Sequence, residues 1–399
     1  LSEASTTRRV IVLGAGAAGL TCAARAAALG HVVTLVEGQA RAGRKLAACG
    51  GGRANFGNLD LDPRRHYVGS NPDFPRSALA RYTLTDFLVW MRAHGLRWEE
   101  REQGRLFGLG PASEMAGALL SDARSAGVRI LPGLPIHEVV RRPEGFRVRA
   151  GPETLECELL VVATGGPAAP GLGASRVGYD IASVLGHDVI PPSPALVPLL
   201  HAPADASLGA LSGIHLPARA RVGRERFEDE LLFTHHGLSG PLTLQASLAW
   251  KPGQELELDL LPGQSVEALL LEDRASHGQR RPLTVLAQHL PRRLCEVLLA
   301  RRGAPDRPLA AISATELRDL GRAFSAFTLR PAARAGWERA EVSLGGVDTR
   351  GVCSRRMASL VVPGLFFAGE VLDVTGRLGG YNLQWAWSSG WCAAQGLAG

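Results

Sequence analysis

Lysine is nearly missing: Lys45 and Lys251 are the only two among 44 basic side chains, and arginine carries the rest of a net charge of +6. The arginines are dispersed, apart from short pairs such as Arg64–Arg65 and Arg355–Arg356. That pattern reads as a solvated surface, and no nucleic-acid-binding motif accompanies it, so nucleic acid is not the expected partner. Cys22, Cys49, Cys157, Cys295, Cys353 and Cys392 include no Cys-x-x-Cys, so neither a zinc site nor a redox-active dithiol is expected. No apolar run approaches the ~20 residues that cross a bilayer, and nothing near Leu1 has the form of a signal peptide. The expectation is a reduced, cytoplasmic chain with no membrane partner and no metal. Its oligomeric state is not legible.

What is present in quantity is glycine, 48 of 399 residues, and the first cluster is informative. Val10–Leu13 is a short apolar run that reads as a buried parallel strand. Gly14, Gly16 and Gly19 follow as G-x-G-x-x-G, then an alanine-rich helical stretch through Ala17 and Ala18. Gly14 suits a tight turn, Gly16 lets a pyrophosphate approach the backbone, and Gly19 lets helix and strand pack closely. The helix start supplies free N–H groups and a positive dipole end. The next strand ends at Glu37, the distance expected for a carboxylate that holds a ribose diol. Glu37 also disfavours a 2′-phosphate, so NADP is not expected in this slot.

Further along, GQARAGRKLAACGGGRANFGN follows Glu37. Three consecutive glycines exclude a regular helix throughout. Arg44 and Lys45 can neutralise pyrophosphate there, and Arg53 and Asn55 can reach a ring or substrate. Ser77–His94 has the spacing of one amphipathic helix, and a second is expected over 114–125. Residues 135–155 alternate as a small β-meander. The run 158–166 reads as a buried strand closing on Thr164-Gly165-Gly166. PPSPALVPLL marks a boundary near residue 190. The runs ARARVG, RFEDELLF, LTLQASLAW and ELELDLL then suggest an antiparallel barrel or sandwich. Residues 265–327 read as helices, with a capping box at Ser313 and Glu316 and with Leu269, Leu270, Leu298 and Leu299 in the core. Cys22 and Cys392 read as small core residues.

GRKLAACGGGRANFGN resembles the G-R-K-L-x-x-S-G-G-G-R-C-N-x-x-N signature of a family of bacterial FAD flavoproteins. That family is variously described as aminoacetone-oxidase-like and as dehydro-bile-acid-reductase-like. LLFTHHGLSGPLTLQAS resembles its F-T-H-x-G-L-S-G-P stretch, and AGEVLDVTGRLGGYNLQWA its A-G-E-x-L-D-x-x-G-x-x-G-G-Y-N-L-Q-x-A tail. The chain departs at two positions: Cys49 stands where the family has Ser, and Ala54 where it has Cys.

The resemblance implies an α/β fold with a single Rossmann-like FAD-binding domain of glutathione-reductase type, interrupted by an inserted β-barrel plus helical domain. The expected division is 1–190 and 336–399 for the FAD-binding domain, 191–264 for the barrel and 265–335 for a helical cap. The implied FAD site draws on Gly14, Gly16, Ala17, Ala18, Gly19, Glu37 and Gly38. Arg44, Lys45, Gly50, Gly51, Gly52 and Asn55 follow, with Ile136 at the adenine edge and Ala163, Thr164 and Gly165 in the turn. The tail adds Gly369, Glu370 and Asp373, with Asp373 preferred over Glu370 for the ribityl chain. Gly379, Gly380, Tyr381, Asn382 and Leu383 open the last helix toward the flavin ring. Gln384, Trp385 and Trp387 read equally as a substrate wall or as packing.

Candidate catalytic residues are Cys49, Arg53, Asn55, His235 and Tyr381, with Thr234 and His236 beside His235. Only one dinucleotide fingerprint is present, so NADH or NADPH, oxygen or another acceptor meets the flavin directly or at a transient site. The function expected is hydride transfer between a small organic substrate and non-covalent FAD. The alternatives are an RNA-modifying flavoenzyme and a non-catalytic, redox-sensing FAD protein.

Overall fold

The computed structural model describes residues 7–304 and 306–398, which form two compact units: residues up to Pro194 together with Glu341 onward, and Ala195–Ala340. In the first unit the elements that matter are β1 (Arg9–Leu13), α1 (Ala17–Ala28), β2 (Val32–Glu37), α2 (Arg44–Ala48) and β3 (Asn55–Asn58). They are followed by β4 (Arg129–Pro132), β5 (Leu159–Val162), α3 (Val177–Val184), β6 (Val342–Val347), β7 (Leu365–Phe367) and α4 (Tyr381–Leu397).

Five strands make one parallel sheet in the order β7-β5-β1-β2-β4. Val10, Ile11, Val12 and Leu13 are at most 2% exposed, as a strand paired on both sides and covered on both faces requires. Burial of each such side chain contributes about 1.5–3 kcal/mol. The chain leaves β1 toward β2 on one side and reaches β5 on the other. That reversal opens a crevice beyond the strand ends, where open α/β sheets bind ligands. Helix α4 crosses α1 closely, because a Cβ on Gly390 would stand 2.4 Å from the Ala18 carbonyl oxygen. Cys22 and Cys392 are fully buried in this core. The expected meander is a three-stranded antiparallel sheet of Ile136–Arg142, Gly145–Ala150 and Glu153–Cys157.

Ser77–His94 is two helices, Pro75–Arg81 and Leu84–Ala93. The single-helix expectation fails because Thr83 begins a new helix with a capping box: Asp86 N–H donates to Thr83 Oγ1, and the Asp86 carboxylate accepts from Thr83 N–H. Tyr82 is extended between them.

The second unit is built on a seven-stranded antiparallel sheet. Its order is Phe327–Leu329, Leu256–Asp259, His215–Val222, Glu225–Phe233, Gly237–Ser239, Leu199–Leu200 and Ala333–Arg334. The hydrogen-bonded order has two ends, β-strands Phe327–Leu329 and Ala333–Arg334. LTLQASLAW is not a strand: Gly240–Ala249 is a helix with Pro241 in its first turn. Its buried positions Leu242, Thr243, Ala246 and Ser247 repeat at helical spacing. Sheet and helices share one hydrophobic core, with Leu270 and Leu298 inside it and Leu299 packed against it. Leu269 is only half-buried, and Leu271 packs on the core in its place. The Ser313–Glu316 capping box is present as expected.

Candidate dinucleotide site

Each glycine of the first turn has a separate reason to be glycine. Gly14 has φ +97°, and a Cβ there would lie 2.6 Å from the Ala163 carbonyl oxygen. Its N–H donates to Val36 O at 2.8 Å. A Cβ on Gly19 would lie 1.8 Å from Gly14 O, so any side chain would separate helix from turn. A Cβ on Gly16, by contrast, would meet nothing within 4 Å. The space over Gly16 is open, as a ligand in contact with the backbone requires. Gly16 caps α1 without a side-chain cap, and no acidic residue occupies the first turn. The first-turn N–H groups at Ala17 and Ala18 are therefore available to an anion.

Glu37 lies at the end of β2, half-buried. Its Oε2 accepts from Ala15 N–H and its Oε1 from Gln39 N–H, both at 2.8 Å. These bonds orient the carboxylate beside the turn and leave further lone pairs on each oxygen. Leu134 N–H donates to Glu37 O, and a Cβ on Gly38 would lie 3.8 Å from the Pro135 Cα. Ile136, half-buried, thus begins its strand next to Gly38, at the edge expected for adenine.

The glycine-rich loop and the tail come together. Lys45 Nζ donates to Glu370 Oε2 at 2.7 Å, and Glu370 Oε1 accepts from Ser343 N–H at 2.9 Å. Gly369, at φ +77°, lies over the start of α1, since a Cβ there would be 2.8 Å from the Ala18 Cβ. Lys45 is therefore held by a carboxylate at the helix start. Arg44 turns toward the Gln39 side chain and the Gly171 carbonyl. Asp373, the preferred ribityl contact, is 3% exposed, and its Oδ2 accepts from Ser70 N–H at 2.7 Å. Protein closes that carboxylate in, whereas the Glu370 side chain keeps 22% exposure.

Gly50, Gly51 and Gly52 run through left-handed backbone, and Ala54 does so as a non-glycine at φ +49°. Ala54 N–H closes this loop on Cys49 O at 3.1 Å. Cys49 is half-buried, and burial pushes its thiol up to about 12. Arg53 is exposed and makes no ion pair among the described residues. With its amide oriented to satisfy both neighbours, Asn55 donates to Leu106 O and accepts from Gly380 N–H, each at 3.2 Å. Asn58 Nδ2 donates to Gly379 O at 3.1 Å, and Gly380 packs its backbone on Gly57. The loop after Glu37 thus abuts the start of α4, although Asn58 and Gly379 are 321 residues apart in sequence.

Several side chains at that helix start are engaged elsewhere. Tyr381 is 5% exposed, stacks on His66 at 4.4 Å and donates its hydroxyl to Asp60 O; burial pushes the phenol up to about 12. Asn382 exchanges two hydrogen bonds with Gly376, and Leu383 is half-buried. Gln384, Trp385 and Trp387 are at most 1% exposed and pack in the core; they form no substrate wall. Thr164 follows Ala163 in the closing turn and Gly165 has φ +71°, but the Thr164 hydroxyl is buried by protein. In the second unit, His235 and His236 are exposed and Thr234 Oγ1 bonds Gly237 O within its own turn. Sequence reasoning missed Ser343, which stands in no motif, and gave no role to Asn58, although it is the last residue of the GRKLAACGGGRANFGN stretch.

Residues 8–396 match the family of the HI0933-like protein Rossmann domain. The chain belongs to that family. Among members and relatives, it is 42% identical over 390 residues to the ribosomal RNA dihydrouridine synthase of Escherichia coli, covering 97% of each chain. It is 29% identical over 416 residues to a 3-dehydro-bile acid delta(4,6)-reductase of Clostridium scindens, covering 98% of this chain and 99% of that one. A 3-ketosteroid-delta4-(5alpha)-dehydrogenase structure from Rhodococcus jostii superposes with TM-score 0.51 at 15% identity, covering 100% and 98% of the two chains. That last likeness concerns the fold alone. The HI0933-like chain is an FAD-binding Rossmann flavoprotein with oxidoreductase relatives. The cradle fits FAD on its own terms: open space over Gly16, an uncapped helix start and Glu37 oriented beside it. No helix among the described residues is long and apolar enough to cross a membrane, and none of their His, Cys, Asp and Glu side chains cluster as a metal site.

Proposed function

We propose that this chain reduces a uracil base of ribosomal RNA to dihydrouracil. The observation that carries the reading is the 42% identity, across 97% of both chains, to a protein named for that activity. This identity supports the RNA alternative over the small-molecule reading expected first. Bound FAD, once reduced by NADH, NADPH or another donor, supplies the hydride for the C5–C6 double bond. The chain's residues do the rest. The first turn of α1 holds the pyrophosphate, Glu37 the adenosine ribose and Ile136 the adenine edge. Glu370, held between Lys45 and Ser343, faces the ribityl chain. The backbone at Gly379–Asn382, braced by Asn55 and Asn58, holds the ring. The carbon α to the uracil carbonyl then needs a proton. Cys49, kept protonated at neutral pH by burial, gives a proton rather than acting as a nucleophile. Residues 1–190 with 336–399 form the FAD-binding domain in this reading.

The test is direct. Purified protein with NADH or NADPH is incubated with unmodified ribosomal RNA, and dihydrouridine is counted after digestion to nucleosides. No dihydrouridine with either donor sinks the proposal. A second reading, reduction of a small carbonyl-conjugated alkene, is favoured by the 29% identical bile-acid relative. Reoxidation of the reduced flavin by a steroid-type enone, without RNA reduction, is the outcome that selects it.

A further inference from the structure

Three arginines dispersed in the sequence, Arg65, Arg105 and Arg377, gather around Tyr381, the first residue of α4. Each arrives on a different segment. Arg65 lies in the short helix Pro63–His66, whose last residue stacks on the Tyr381 ring at 4.4 Å. Arg377 follows the strand Thr375–Gly376, which pairs antiparallel with Tyr67–Val68, and its N–H donates to His66 O at 2.8 Å. Arg105 opens the strand Arg105–Gly108 and stands opposite Asn58, whose Nδ2 donates to Gly379 O at 3.1 Å. Of the four charges that act on the Tyr381 phenol, these three are positive and Asp60 alone is negative. Asp60 lies 3.8 Å from Arg65, whose side chain keeps 68% exposure. Neighbouring Arg64 is committed elsewhere, with two bonds to Asp73.

The arginines of the seven-stranded sheet are arranged otherwise. Arg219 pairs with Glu228 and Arg221 with Glu257, so positive and negative charge balance there. The excess of positive charge around Tyr381 therefore lies at one place, the helix start assigned above to the flavin ring. An enzyme that reacts with a base takes that base out of its stack, and the phosphates on either side stay at the mouth of the site. We propose that Arg65, Arg105 and Arg377 form a rim that binds the RNA phosphates flanking the target uridine while its base faces the flavin ring. The rim rests on the RNA reading given above. A guanidinium carries five N–H donors in a rigid fork, so one that already bonds a protein oxygen keeps donors for a phosphate. Contacts of this kind fix the register of the strand and carry no sequence information. The rim positions the RNA and leaves choice of the base to other groups.

The test compares Arg65→Gln, Arg105→Gln and Arg377→Gln, as FAD-loaded proteins, with the parent chain and with Arg219→Gln as the control. Three quantities are read: binding to unmodified ribosomal RNA across a salt series, dihydrouridine formed, and flavin bleaching by NADH or NADPH. Each rim change is expected to weaken RNA binding about three- to tenfold. The slope of log K against log salt should fall by about 0.7–1 per charge removed. KM for RNA should rise by more than kcat falls, with flavin content unchanged, and Arg219→Gln should match the parent. Arg65→Lys, which keeps the charge, should recover most of the binding. Rim variants with the parent's RNA affinity and salt slope, in a parent that makes dihydrouridine, overturn the rim and leave the RNA reading standing. A parent that neither binds RNA nor makes dihydrouridine removes the reading and the rim together. Slower bleaching by NADH or NADPH with RNA binding intact gives the phosphate contact to the nicotinamide donor and also refutes the proposal. Arg65 is a surface residue, so Arg65→Gln keeps the test valid if Arg377→Gln fails to fold.

Discussion

The dinucleotide cradle and the Ala195–Ala340 unit are built under different constraints. In the cradle, single atoms decide: Gly14, Gly19 and Gly369 stand where a Cβ would lie within 3 Å of backbone or a neighbouring Cβ. In the other unit a seven-stranded sheet and its helices share an ordinary core, set by hydropathy period. The cradle is specified by backbone geometry at Gly14 and Gly19, where no side chain fits, although Gly16 beside them is open. The core of the other unit is specified by pattern and tolerates volume-conserving change, apart from close glycines such as Gly237 and Gly240.

The largest contrast should come from two glycines separated by a single residue. Gly14→Val places a branched side chain at φ +97° against the Ala163 carbonyl, and is expected to abolish folding of its unit, seen as loss of the cooperative melting transition. Gly16→Val meets open space in the protein and should fold normally while retaining no flavin absorbance. A Gly16→Val protein that keeps its yellow colour breaks the assignment of that space to FAD.

Leu270→Ala removes a fully buried side chain from the second unit. The expected cost is about 2–5 kcal/mol, read by denaturant titration, with the flavin-to-protein ratio unchanged under native conditions. A comparable loss of flavin would mean that the two regions are not independently specified.

Smaller effects sharpen the cradle itself. Glu370→Gln weakens a pair whose side chains are 36% and 22% exposed, so its ion-pair contribution is about 1 kcal/mol or less. The expected result is a several-fold higher FAD dissociation constant, measured by fluorescence. Cys49→Ser should leave FAD bound and lower turnover on RNA. Unchanged turnover would retire Cys49 as the proton donor.

The smallest effect lies outside both regions. His94 Nε2 lies 2.7 Å from Asp122 Oδ1. Burial lowers the imidazole, but the Trp90 carbonyl and Asp122 outweigh it and the net direction is upward. A pKa raised on folding stabilises below the unfolded value near 6.5 and is lost as pH rises through the folded one. Asp122→Asn should therefore cost roughly 0.5–1 kcal/mol at pH 5.5 and less at pH 8.5; a constant difference in melting temperature at both would disprove the coupling.

Local signals are the legible ones. The Ser313–Glu316 box and the Gly14–Gly19 turn need only a few consecutive residues. The Thr83–Asp86 box is equally local, but the apolar spacing of 77–94 runs on across it and hides the break. LTLQASLAW suits either period, and only packing of Leu242 and Ala246 in the second core selects helix. Asp373 and Glu370 cannot be ranked from sequence, since burial alone separates them. Lys45 and Glu370 are 325 residues apart, beyond any periodicity.

By itself the sequence determined the nucleotide-binding turn, the carboxylate at the end of the second strand and the α/β class. These rest on backbone sterics and hydropathy period, which act over a few residues. Tertiary structure alone decided that Asp373, Tyr381 and Trp387 are buried. Those outcomes depend on distances between segments far apart in the chain, which only the folded packing sets.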